Sequence, residues 1–250
     1  MINVYEASTE NVRELKKERR ILEKLLKQAI RDNKEENIQL YKYLYALLYS
    51  SFAEVSFIKL INTPHGFNEV EIEDIMKCGN LEKKWIKCFE LAFSKIENSI
   101  NLGEIANKKK TLKNILDEYI IAPSELRNKI AHGQWSVCLN NNCKDINNET
   151  SNRLKQLDAF TVKKEFEIYS LFEQCIEDLI ESPFKAHPQQ FYNRITEIET
   201  YIKDNSGRNF ESYCDQIRNS YKTRLYKEKM EKIQDRKVSN PEANAKIDDM

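Results

Sequence analysis

Apolar side chains recur at three- and four-residue spacing over most of the chain, the period of helices with a buried face. Val12, Leu15, Ile21, Leu22, Leu25, Leu26, Ala29 and Ile30 predict a charged helix over 8–31, capped by Ser8 or Thr9 and broken at Asp32-Asn33. Residues 35–61 predict a second, more apolar helix carrying Leu40, Tyr43, Leu44, Leu47, Leu48, Phe52, Val55, Phe57, Ile58, Leu60 and Ile61. Such broad coverage points to burial on more than one side, inside a bundle or at a dimer interface. Thr63-Pro64-His65-Gly66 ends it.

Asn68 is placed to cap a short helix through Lys77, with Gly79 after it at a position suited to positive φ. A helix of about 20 residues then starts at Asn80, with Leu81, Trp85, Cys88, Phe89, Ala92, Phe93 and Ile96 on one side. The next covers 107–121, opens on Lys108-Lys109-Lys110 and is interrupted by Pro123. A new helix begins at Pro123 or Ser124, with Ser124 a usable cap, and runs to His132, where Gly133 supplies a stop. Over 134–158 the period fails; Asn140-Asn141-Asn142 and Asn147-Asn148 mark a polar loop, with a short helix from Ser151. A strongly apolar helix follows over 161–181 and ends at Ser182-Pro183. Two helices with weaker apolar faces, over 188–204 and 209–236, precede a frayed tail over 240–250.

The pattern predicts an all-α fold in three parts: an N-terminal charged helix (1–34), a helical-bundle domain (35–182), and a helical C-terminal extension with a disordered tail (183–250). Composition agrees. Glycine and proline number five each in 250 residues, too few for a turn-rich β protein or a Gly-rich nucleotide-binding fold. Charged residues make up 32%, but 40 cations balance 40 carboxylates, so any basic surface must come from local clustering. One such cluster lies between Arg208 and Val238, with nine basic and five acidic residues. Six scattered cysteines without a leader segment are expected to be reduced thiols in a cytoplasmic protein. No membrane span is expected.

Candidate chemistry concentrates in Arg127-Asn128-Lys129-Ile130-Ala131-His132-Gly133. Asn128 and His132 are four apart and share a helix face; Arg127 lies about 140° round from His132, with a stem long enough to swing its guanidinium back. Histidine moves protons near neutral pH, arginine holds a phosphate oxygen with two donors, and asparagine orients without adding charge. Those are parts for phosphodiester chemistry. The plain alternative is a surface helix that ends at a glycine. Cys138 and Cys143 lack a second close pair and do not make a zinc site. Trp85 reads as core. Trp135 reads as a cap on the core, with base stacking as the alternative. No cofactor or metal is called for.

Arg127-Asn128-x-x-x-His132 resembles the R-x4-6-H motif of the HEPN superfamily, and the stretch Tyr45-Ala46-Leu47-Leu48-Tyr49-Ser50-Ser51-Phe52-Ala53-Glu54-Val55 resembles the early core helix of stand-alone HEPN proteins of bacterial toxin and defence loci. The resemblance covers roughly 35–182. It implies a helical bundle that dimerises with two motifs facing one cleft, and metal-independent RNA cleavage by the RNA's own 2′-hydroxyl. By position, Arg127 would stabilise the phosphorane, His132 transfer protons and Asn128 position. An antitoxin or a defence-system protein is the expected kind of partner. Gln134 stands where some members carry a tyrosine, so regulation by nucleotide transfer to that tyrosine is not implied. Two rivals stay open: a non-catalytic HEPN module that binds RNA or protein, and a helical adaptor unrelated to RNA.

Overall fold

In the computed structural model, residues 3–96, 102–140, 142–181 and 187–239 are described. The first helix, α1 (Val4–Arg31), starts from a capping box in which the Asn3 side chain accepts from the Glu6 amide and Glu6 accepts from the Asn3 amide. The cap therefore lies five residues before the Ser8 expected from the apolar pattern. The first turn, Val4 to Ala7, buries no residue and leaves Val4 exposed, so it adds nothing to the apolar stripe. Asn33 takes φ 52°, which turns the chain into α2 (Glu35–Ile61).

Buried positions on α2 run Ile38, Lys42, Tyr45, Ala46, Tyr49, Phe52, Ala53, Ser56, Phe57, Leu60 and Ile61, a single stripe at helical spacing. Leu40 and Leu44 stay exposed on another side. By length and composition α2 could cross a membrane, although no such segment was expected; half of its apolar window is buried in this fold. Next come α3 (Glu69–Lys77), boxed by Asn68 and Glu71, and α4 (Leu81–Ser94), capped by Asn80. Gly79 between them does not adopt the expected positive φ; Cys78 leaves α3 in extended geometry instead.

After the loop, α5 (Leu102–Ile115) runs into a π-helical segment (Leu116–Ile121) and on into α6 (Ala122–Ala131) without a gap. The break expected at Pro123 is absent. The wider π turn passes the chain into α6, and proline sits in its first turn, where its missing N–H costs little. Ser124 is correspondingly not an N-cap; its hydroxyl donates back to the Ile121 carbonyl at 2.6 Å. Then follow α7 (Asn148–Gln156), capped by Asn147, the long α8 (Ala159–Glu181), α9 (His187–Ser206) and α10 (Phe210–Ser239). Ser182-Pro183 and 240–250 lie outside the described residues.

An aromatic cluster holds α2, α4 and α8 together. Phe57 and Trp85 pack at 4.7 Å between centroids, Phe52 and Phe166 at 4.6 Å, and Tyr169 donates to the Ala53 carbonyl at 2.6 Å. Arg19 on α1 bridges Glu23, Glu167 and Tyr45, and Lys59 reaches Glu177 at 2.8 Å. Leu26 and Ile30 of α1 and Phe191, Ile195 and Ile198 of α9 are buried in the same core cluster as the central helices. Helices before position 34 and after position 182 thus contribute side chains to the same core as the central helices.

Candidate functional site

Leu126 and Ile130 fix the face of α6 that enters the core. Asn128 and His132, one turn apart, are left exposed on another face. Neither side chain makes a hydrogen bond or ion pair among the described residues. His132 is the cap residue at the helix end (φ −88°), and Gly133 takes φ +79°. The Gly133 amide donates to the Ile130 carbonyl and the Gln134 amide to the Lys129 carbonyl, each at 3.0 Å, a Schellman ending that needs a left-handed residue at Gly133.

The chain beyond is tied back. Trp135 donates from Nε1 to the Ile130 carbonyl at 2.9 Å, and its ring stacks on Tyr43 at 5.0 Å. Tyr43 returns its hydroxyl to the Trp135 carbonyl at 2.8 Å. Gln134 accepts from the Leu139 amide and Lys129 donates to the Leu139 carbonyl. Trp135 is therefore a cap on the core. The backbone on both sides of His132 is fixed while the imidazole projects into solvent.

Arg127 goes the other way. It is 4% exposed, donates from Nη2 to the Ile120 carbonyl at 2.8 Å, and holds its guanidinium 4.6 Å from the centre of the Tyr49 ring. Its Nε has no partner among the described residues. The guanidinium thus does not swing back to His132 within one chain. The physical reason is local: the π segment and Pro123 disturb the helix ladder, and side chains collect its carbonyls. Arg127 serves Ile120, Ser124 serves Ile121, and Arg153 of α7 serves Ala122 at 2.7 Å.

Arg127 lines a cleft of about 350 Å³, whose opposite wall, α8, carries Glu165. The two form no direct ion pair. Burial pushes the Glu165 carboxyl up to about 7, against Arg127, Arg153 and Lys164, which favour its charged form. Asn128 lines a second cleft of about 490 Å³ that shares Ala122 and Arg153 with the first. Arg153 stands between the clefts, 3.7 Å from Glu125. His132 lines neither cleft.

One chain therefore brings Asn128 and His132 onto one face and places Arg127 beneath it. Glu165, Arg153 and Tyr49 were not singled out from the sequence. Glu165 had one signal, a carboxylate directly before Phe166 in a strongly apolar helix; Arg153 had none. Cys138 is buried and Cys143 exposed, and no group of His, Cys, Asp or Glu among the described residues could hold a metal ion. Lys108 and Lys109 lie over the Tyr192 and Phe93 rings, at 5.8 and 5.4 Å, so part of that basic run packs on aromatic surface. The fold and site define an all-α protein with an exposed Asn–His pair at a rigid helix end. No family model, curated protein or solved structure matches the chain.

Proposed function

We propose that the chain is a homodimeric, metal-independent endoribonuclease of HEPN type, acting as a toxin or anti-phage effector. The observation that carries this reading is the exposed, unpartnered pair of Asn128 and His132 on a helix end whose backbone is fixed from both sides. Fixed backbone with free functional groups is what positioned proton transfer needs. In the reaction, His132 of one chain removes the proton of the RNA 2′-hydroxyl. The 2′-oxygen bonds to phosphorus, the bond to the 5′-oxygen breaks, and the 5′-oxygen takes a proton from the second chain's histidine. The products are a 2′,3′-cyclic phosphate and a 5′-hydroxyl. Asn128 orients imidazole or phosphate. Arg127 contributes positive charge from beneath the helix and holds α6 in place.

A dimer fits because a single chain has one such histidine. Exposed Leu40 and Leu44 flank Tyr43 on α2, and Tyr43 stacks on Trp135, three residues from His132. A second copy covering those leucines would bring its own histidine into the neighbourhood.

The inward Arg127 favours a second reading, a non-catalytic module of the same type that binds RNA or protein. Labelled structured RNA incubated with wild type and with His132→Ala, EDTA present throughout, separates the two. Cleavage by wild type alone, with 5′-hydroxyl ends, is expected. Binding without cleavage supports the second reading, and full activity of His132→Ala would sink the first.

A further inference from the structure

Away from His132, the first and last helices enclose a groove of one charge sign. Lys24, Lys27 and Arg31 of α1 and Arg224 of α10 stand around a space of about 570 Å³. Its floor is apolar, made by Ile21, Leu25, Ile217 and Tyr221. A second space of about 330 Å³ continues past Lys27 and Ile217 to Lys163 of α8. No carboxylate is among the described residues lining either one, in a chain with as many carboxylates as cations. Arg31 is held by Asp32 at 2.7 Å and Arg224 by Glu228 at 3.3 Å, whereas Lys24 and Lys27 make no ion pair among the described residues.

The groove leads onto an unsupported helix. Lys27 lies beside Tyr213 and Ile217, and Arg31 lies over Tyr221, so α10 runs parallel to α1 and continues beyond its end. Every residue from 222 to 232 is exposed. Leu225, Tyr226 and Met230 are there, at 43%, 65% and 46% exposure. The same stretch holds five cations (Lys222, Arg224, Lys227, Lys229 and Lys232) against Glu228 and Glu231. A helix in water without a packed face is marginal, so a stretch that leaves apolar side chains uncovered is suited to a partner.

We propose that this track, the groove and the projecting part of α10, docks an acidic amphipathic helix of a partner protein. Its apolar stripe would lie on Ile21, Leu25 and Ile217, with its carboxylates against Lys24, Lys27 and Arg224. The α1 wall from Ile21 to Arg31 is about 15 Å long, matching roughly three turns of a helix. A second copy of this chain is disfavoured because the same basic track would face itself. Nucleic acid is the weaker candidate for two reasons. Apart from Tyr221 the floor of the first space is aliphatic, and that ring is already covered by the guanidiniums of Arg31 and Arg224, at 4.6 and 5.3 Å from its centre; Tyr213, in the continuing space, is buried, which leaves Tyr226 as the one exposed ring of the track among the described residues. This inference does not rest on the ribonuclease reading.

The test is fluorescence anisotropy of the whole 250-residue chain with four labelled probes. They are a leucine–glutamate amphipathic helix of about 18 residues, its leucine–lysine counterpart, polyglutamate of equal length, and a single-stranded RNA. The leucine–glutamate helix is expected to bind at least about tenfold more tightly than the other three, and to weaken with salt. Lys24→Glu with Lys27→Glu should weaken it about tenfold or more, and so should Leu25→Asp; all three sites are exposed, and melting curves check the fold. Lys24→Gln with Lys27→Gln serves if the reversal unfolds. Absence of binding, or binding unchanged by these variants, overturns the proposal. So does RNA binding that exceeds peptide binding and is lost in the same variants, which would make the track a nucleic-acid surface.

Discussion

Arg127 holds a full charge under the surface with one carbonyl and one ring as its partners. Removing it leaves the Ile120 carbonyl and the Tyr49 ring without the guanidinium, and takes from Glu165 the foremost of the charges favouring its ionised form. Arg127→Ala is therefore expected to lower stability by about 2–4 kcal/mol, read as a fall in the urea midpoint. Loss of cleavage in that variant would report folding as much as chemistry, which is why the exposed His132 is the cleaner test. Glu165 gives a second expectation. Burial raises it to about 7, and Glu173 is raised to about 7 by the same cause, against Lys59. A carboxyl whose folded value lies above its unfolded one binds more protons in the folded state across that interval. Its stabilisation is present below about 4.5 and is lost as pH rises through about 7. Melting temperature should thus fall by a few degrees between about pH 5 and pH 8, and Glu165→Gln should remove roughly half of that slope. A slope unchanged in the variant would assign the effect elsewhere.

Helix ends decide how well each element could be read in advance. The span of α2 and the Asn68 cap were legible because apolar period and cap residue coincide there. The Asn3 cap was not, since the first turn of α1 buries little and the box depends on Glu6 reaching back. The π segment was not legible either. Proline after a helix reads as a break, and only the packing of Leu116 and Ile120 into the core shows that one wide turn carries the chain through. The motif was legible as a helix end, and Gly133 is its hinge point. At φ +79° any L side chain is strained even though an added Cβ would meet no atom within 4 Å. Gly133→Ala is therefore expected to cost about 1–2 kcal/mol through backbone strain alone. On the proposed function it also shifts His132, so cleavage should fall further than the stability loss accounts for; equal losses would detach the turn from the chemistry.

At the scale of the molecule, an apolar pattern tells which residues are buried but not what buries them. Leu40, Leu44 and Tyr43 all read as apolar positions of α2; the fold covers Tyr43 with Trp135 and leaves the two leucines to solvent. Likewise the Arg127 guanidinium was expected to swing round to His132, and the fold engages it inward, on the Ile120 carbonyl and the Tyr49 ring. Whether the site is whole in one chain is therefore a question about two chains. Leu40→Glu with Leu44→Glu should convert a dimer to monomers in sedimentation, with each chain still folded, because both positions are exposed. The sharper measurement uses mixed dimers, made by co-expressing two differently tagged chains and purifying through both tags. If each protomer works alone, a dimer of wild type with His132→Ala keeps about half the activity. If one histidine takes the 2′ proton and the other supplies the 5′ proton, one loss disables the shared cleft. The mixed dimer should then lose about 10²-fold or more, as expected for removing a positioned acid or base. Retention of half the rate would leave the dimer as architecture and return both proton transfers to a single chain.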